Sequence, residues 1–65
     1  MNQRESILAQ EYRTYNDILS RRDSARGKEH IKLVKLCWAW APYIRDLEKA
    51  DSVMMMQFLL SYRPK

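Results

Sequence analysis

Residues 28–41 constrain the fold of this chain most, because they have a helical pattern with almost no polar side. At 100° per residue, three lysines share one narrow stripe, and apolar side chains cover the remaining arc of about 220°. The apolar set is Ile31, Leu33, Val34, Leu36, Cys37, Trp38, Trp40 and Ala41. An ordinary surface helix has an apolar stripe of roughly 100°. We therefore expect neighbours on two or three sides of this helix, from its own chain or from another.

The segment before it, residues 3–24, also predicts an amphipathic helix. Its apolar residues recur at spacings of three, four and seven and are Ile7, Leu8, Tyr12, Tyr15, Ile18 and Leu19. The opposite, solvent-facing side carries Arg4, Glu11, Asn16 and Asp17. A charged run at residues 23–28 then holds the single glycine, Gly27, and predicts a turn. Gly27 would end the first helix, or Asp23 or Ser24 would cap the second.

The last third of the chain is predicted to be helical, with one or two breaks. Pro42 should end or kink the second helix, because proline has no amide hydrogen and clashes with the preceding turn. Residues 43–62 then form one helix, or two with a break near Asp51, where Asp51 or Ser52 would cap the last one. One glycine and two prolines are too few for the turns of a β-protein. The predicted fold is a single all-α domain over residues 1–65, a helical hairpin extended to three or four helices.

The small size of the domain predicts self-association. A chain of 65 residues has little core, and natural domains of this size add disulfides, a metal, partner chains or very good helix packing. One cysteine, Cys37, and one histidine, His30, exclude an internal disulfide and a four-ligand zinc site. We therefore expect a homodimeric helical bundle. The predicted dimer interface is Ile31, Val34, Trp38, Trp40 and Tyr43, and the alternative for the aromatic residues is packing in the core of one chain.

A second apolar set near the carboxyl terminus predicts a surface for a protein partner. It consists of Met54, Met55, Met56 and Phe58. Methionine suits adaptable contact surfaces, although it also fills cores. Three consecutive methionines point in directions about 100° apart, so at least one should be exposed or covered by another chain.

The net charge of +4 is concentrated in one part of the sequence. Residues 21–35 hold six of the twelve basic residues and only two of the eight acidic ones. This basic patch consists of Arg21, Arg22, Arg26, Lys28, Lys32 and Lys35. It predicts contact with phosphates of a nucleic acid or with an acidic protein, or it is a solvated face that keeps the protein soluble. The helical stripe offers lysines and no Asn, Gln or Arg placed to read bases.

Catalytic chemistry is not indicated. No Ser-His-Asp or Cys-His pairing has a usable spacing, and no glycine-rich phosphate loop occurs. We expect no enzyme activity, cofactor, metal or membrane association, with His30 on a helix surface and Cys37 as a small core residue. The free thiol and the lack of a secretory pattern favour the cytoplasm. The sequence thus predicts a small regulatory or interaction protein that binds a protein partner as an oligomer, and the alternative is a nucleic-acid-binding helical module.

Overall fold

The computed structural model describes residues 2–64 and shows three α-helices, with no strand within that range. Helix α1 spans Gln3–Ser24, α2 spans Lys28–Lys49 and α3 spans Ser52–Ser61. The all-α prediction is confirmed, and the number of helices is three. None of the three has the length and hydropathy that a membrane span requires, within the part of the chain that the structure describes.

Helices α1 and α2 lie antiparallel and are joined by a short turn over residues 25–27. Gly27 begins α2 with φ at 67°, a backbone conformation that favours glycine, and α1 has already ended at Ser24. Neither predicted role for the turn residues is therefore correct, since Asp23 and Ser24 belong to α1. Beside the turn, Nδ1 of His30 donates a hydrogen bond to the carbonyl oxygen of Arg22 at 2.9 Å. This bond joins the start of α2 to the end of α1.

Arg4 ties the other end of the helix pair together. Its Nε donates to the carbonyl oxygen of Ala50 at 2.9 Å, and its Nη2 donates to the carbonyl oxygen of Glu48. The last carbonyls of a helix have no partner within the helix, and a cation is favourable at that end. Arg4 was predicted to face solvent, but it caps the carboxyl end of α2 instead.

Helix α2 continues through Pro42 for seven more residues, so the prediction that it ends there is wrong. The proline is exposed, and the residues around it form one continuous buried face. This face is made by Trp40, Tyr43, Ile44 and Leu47. A proline inside a helix costs about 3 kcal/mol, whereas burial of one large apolar side chain contributes about 1.5 to 3 kcal/mol. The burial of these four side chains therefore outweighs the free-energy cost of the proline.

The helical chain breaks at residues 50–51. This agrees with the second alternative for residues 43–62, two helices with a break near Asp51. Ala50 and Asp51 are extended, and the Asp51 side chain accepts a hydrogen bond from the backbone N–H of Met54 at 2.9 Å. An aspartate in this position satisfies one of the free amides at the start of a helix. The chain thereby turns back, and α3 packs on the α1–α2 pair.

A small core lies between the three helices. Its buried residues are Ile18, Cys37, Trp40, Tyr43, Ile44, Leu47, Ala50 and Met55. Five of these eight residues belong to α2. The molecule is elongated, with extents of 39 × 22 × 16 Å. A core of this size leaves much of the apolar surface of α2 and α3 in contact with solvent.

Candidate functional site

The aromatic residues predicted for the dimer interface divide into two groups. Trp40 and Tyr43 are buried in the core of a single chain, where their rings meet edge to face with centroids 5.1 Å apart. They offer no surface to a second copy. Trp38, by contrast, is 71% exposed. The remaining two residues of the predicted interface are Ile31, which is exposed, and Val34, which is partly buried.

A buried polar cluster connects α1, α2 and the chain after α3. Glu11 is only 4% exposed, although the sequence placed it on the solvent side of α1. The Tyr43 hydroxyl donates to Glu11 Oε1 at 2.7 Å, and Arg63 donates from Nε to Oε1 at 2.8 Å and from Nη2 to Oε2 at 3.3 Å. The Arg63 guanidinium also lies 5.3 Å from the ring centre of Trp40. The buried carboxylate is therefore paired and hydrogen bonded, which makes its burial tolerable.

The same contacts change the acid–base properties of the cluster. Burial, followed by the hydrogen bond to Glu11, raises the pKa of the Tyr43 hydroxyl above its ordinary value. The hydrogen bond to Glu11 raises the pKa of Arg63. Tyr43 therefore remains neutral and Arg63 charged across the physiological range, and the cluster acts as a fixed clamp between the helices.

A hollow of about 420 Å³ lies between α1 and the end of α3. It is lined by Ile7, Gln10, Glu11, Thr14, Leu59 and Arg63. Its two charged groups are already bonded to each other, and the Thr14 hydroxyl donates to the carbonyl oxygen of Gln10. The described lining therefore presents little unpaired polar chemistry to a small molecule.

The side of α3 that faces away from the core is uncharged and mostly apolar, with Gln57 as its polar residue. We call Val53, Met56 and Leu60 the α3 outer face, and these side chains are 68%, 43% and 84% exposed. Their spacing of three and four places them on one side of the helix. The ten residues of α3 include no charged side chain. A solvated helix face normally carries charged and polar residues, so this face has the composition of a contact surface.

The predicted partner-binding set is only partly on this surface. Met54 and Met56 are exposed, which confirms that consecutive methionines cannot all be buried. Met55 is fully buried and Phe58 is partly buried, so both serve the core. Val53 and Leu60 were not part of the predicted partner-binding set. They could have been found by placing Met55 inward and following the helical period in both directions, because Val53 and Leu60 are separated by two turns on the opposite side.

The exposed side of α2 combines apolar and basic residues with one exposed carboxylate, Glu29, in its first turn. We call this set the α2 outer surface, and it consists of Ile31, Val34 and Trp38 with Lys28, Lys32 and Lys35. Lys28 and Lys35 lie three and four residues from Ile31, so their side chains are its neighbours on the helix. Within residues 2–64, none of the three lysines forms an ion pair with a carboxylate.

The other members of the basic patch are partly neutralised. Arg21 pairs with Asp17 at 3.1 Å, and Arg22 pairs with Asp23 at 3.3 Å. Arg26 is exposed in the turn. The unpaired charge in this region therefore lies mainly on Arg26 and the lysines of α2.

His30 and Cys37, the two residues considered for metal or thiol chemistry, have other positions in the structure. His30 is exposed and bonded to a backbone carbonyl, and Cys37 is a buried free thiol. No group of three His, Cys, Asp or Glu side chains suited to a metal ion occurs in residues 2–64. Comparisons with protein-family models, with curated proteins and with solved structures find no match to this chain.

Proposed function

We propose that this chain is a small non-catalytic interaction protein that acts as a regulator in the cytoplasm, associates with a second copy of itself and binds a protein partner. One observation carries the proposal. Within residues 2–64, seven large hydrophobic side chains are exposed, and three of them form the uncharged α3 outer face. Scattered apolar residues are ordinary on a protein surface, but an uncharged apolar helix face marks an interaction site.

The α3 outer face suits a second copy of the chain. The molecule carries a net charge of +4, so most pairs of faces would bring like charges together. The α3 outer face contains no charged side chain, and two copies can therefore meet there without repulsion. A two-fold axis pairs the same patch with itself and closes the assembly at a dimer. Two helices of about 15 Å would lie side by side across the axis.

The total surface area supports the same conclusion. The chain exposes 4982 Å², whereas a compact monomer of 7.9 kDa exposes about 4,400 Å². The excess is about 600 Å² per chain, close to the roughly 800 Å² that each partner buries in a stable interface. A dimer through α3 would remove much of it from water.

The test is the substitution Leu60→Glu. Leu60 contributes little to the core, so the fold should persist, while a buried carboxylate on each side of the two-fold axis should abolish association. We expect the unmodified protein to sediment as a dimer at micromolar concentration and the variant as a monomer of 7.9 kDa. Circular dichroism confirms that the variant is folded.

The matched control is Asn16→Glu, which makes the same charge change on an exposed position of α1. It should sediment as the unmodified protein does. An unmodified protein that is monomeric throughout this range contradicts self-association, and a dimer that survives Leu60→Glu contradicts the α3 outer face as its interface.

A second candidate function is nucleic-acid binding through the basic patch. The observation in its favour is that six of the twelve basic residues lie between positions 21 and 35. Such binding would be to the phosphate backbone, and its affinity for a nonspecific duplex should fall steeply as salt rises. Loss of a low-salt gel shift on reversing Lys32 and Lys35 supports it, and absence of any shift excludes it.

A further inference from the structure

We propose that the α2 outer surface binds an acidic amphipathic helix of a partner protein. This inference rests on the proposed binding of a protein partner and is independent of self-association through α3. The surface has two components that a ligand must match together. One is a row of apolar side chains, and the other is a row of unpaired lysines.

The apolar row runs from Ile31 to Trp38. These two residues are 55% and 71% exposed and lie seven residues apart, with Val34 between them. Seven residues are two turns of a helix, or about 10.5 Å. A partner helix that lays apolar side chains along this row at spacings of three, four and seven would cover it. Exposed tryptophan is a frequent anchor of such contacts, because it brings a large rigid area.

The lysine row has the same length as the apolar row. Lys28, Lys32 and Lys35 follow the spacing of one helix side, and Lys35 is the helical neighbour of both Ile31 and Trp38. Since these lysines form no ion pair within residues 2–64, their charge is available to a ligand. Carboxylates along one edge of the partner helix would complement them and would set its position and orientation.

Three other occupants fit the surface less well. A second copy would place its own lysines against these and be repelled. A nucleic acid would satisfy the lysines, but its phosphates would leave Ile31 and Val34 without an apolar neighbour. An anionic membrane would match both components, but helices that lie in a membrane interface have a long continuous apolar face, and this one extends for two turns.

The experiment is a selection from a displayed library of helical peptides on the immobilised full-length protein. We expect the enriched peptides to carry apolar residues at spacings of three, four and seven with Asp or Glu along one edge. Bound peptide should also protect Trp38 from quenching by acrylamide. The second tryptophan, Trp40, is buried and contributes little to the change.

Three variants locate the site. The affinity for an enriched peptide should fall at least about tenfold in the double variant Lys32→Glu, Lys35→Glu. It should fall by a similar factor in Trp38→Ala, since all three residues are exposed and lie on the proposed surface. Arg13→Glu makes the same type of charge reversal on an exposed position of α1 and should change the affinity less than about twofold. A loss in Arg13→Glu that is as large per charge as the loss in the lysine pair, with Trp38→Ala unaffected, would show attraction by net charge alone and overturn the proposal.

The remaining outcomes separate this inference from the proposed function. Peptides that bind the unmodified protein and lose their binding only in Leu60→Glu would overturn the α2 outer surface as the site. The proposed binding of a protein partner would still stand. Enriched peptides without acidic residues would overturn the stated chemistry. No enrichment would overturn this inference and leave self-association through α3 to the sedimentation test. Trp38 protection by a 20-base-pair duplex or by phosphatidylglycerol vesicles alone would overturn an acidic helix as the occupant.

Discussion

At the scale of single residues, the buried Glu11 carboxylate has the largest influence on how the helices are joined. It accepts hydrogen bonds from Tyr43 on α2 and from Arg63 after α3. A buried carboxylate that loses a donor keeps its desolvation cost, so each donor is worth more than an average surface hydrogen bond. The cluster therefore fixes the carboxyl end of α3 against α1, and with it the direction of the α3 outer face.

Tyr43→Phe should lower the free energy of unfolding by about 1 to 3 kcal/mol, because it removes the hydroxyl that donates to Glu11. Urea denaturation measures the change. Tyr12→Phe is the control, since Tyr12 packs partly buried against the core and its hydroxyl takes no part in the Glu11 cluster, and its loss should change stability by less than about 0.5 kcal/mol. Equal effects of the two substitutions would show that the bond to Glu11 contributes nothing.

Stability should also decline in alkaline solution, and Tyr43 should cause part of the decline. Its pKa is higher in the folded chain than in the unfolded chain. As the pH rises above about 10, the unfolded chain loses this proton first, so the free energy of unfolding falls. Denaturation between about pH 8 and pH 11 should therefore show a shallower decline for Tyr43→Phe than for the unmodified protein. Parallel curves would contradict the raised pKa.

At the scale of the elements, α2 is a strong helix with one unfavourable residue in its middle. Proline at position 42 leaves the carbonyl oxygen of Trp38 without its usual donor four residues later. The helix persists because its buried face continues on both sides of the proline. Local preference and tertiary packing therefore disagree at this position, and packing prevails.

Pro42→Ala should raise the free energy of unfolding by about 1 to 2 kcal/mol. Alanine restores the missing donor, and the gain is reduced because proline also restricts the unfolded chain. Position 42 is exposed, so the substitution leaves the core unchanged. Thermal denaturation measures the shift, and Pro64→Ala, after α3, should change stability by less than about 0.5 kcal/mol. A destabilised Pro42→Ala protein would show that the packing of α2 depends on a bend at the proline.

At the scale of the whole molecule, three helices cover their apolar surface incompletely. The radius of gyration is 12.7 Å, whereas a compact domain of this length has about 10.7 Å. Association would stabilise such a chain by mass action. The melting temperature of the unmodified protein should therefore rise with protein concentration, and that of Leu60→Glu should not. This concentration dependence is a second measurement of the self-association proposed through α3.

Much of the fold follows from the sequence, because its signals are local. The helical period of residues 3–24 and 28–41, the turn around Gly27 and the capping preference of Asp51 all act within a few residues. The wide apolar arc of α2 indicated that this helix needs neighbours on two or three sides, and five of the eight buried core residues belong to it. The exposed methionines followed from helix geometry alone.

Contacts between distant residues were decided by the tertiary structure. Glu11 is buried because Tyr43 and Arg63, 32 and 52 positions away, donate to it, and Arg4 caps a helix that ends 45 residues later. The same packing carries α2 through Pro42 and turns Met55 inward, which leaves Val53 and Leu60 outside. A sequence pattern reports the period of each helix, but the direction in which a helix faces depends on partners that no local pattern contains.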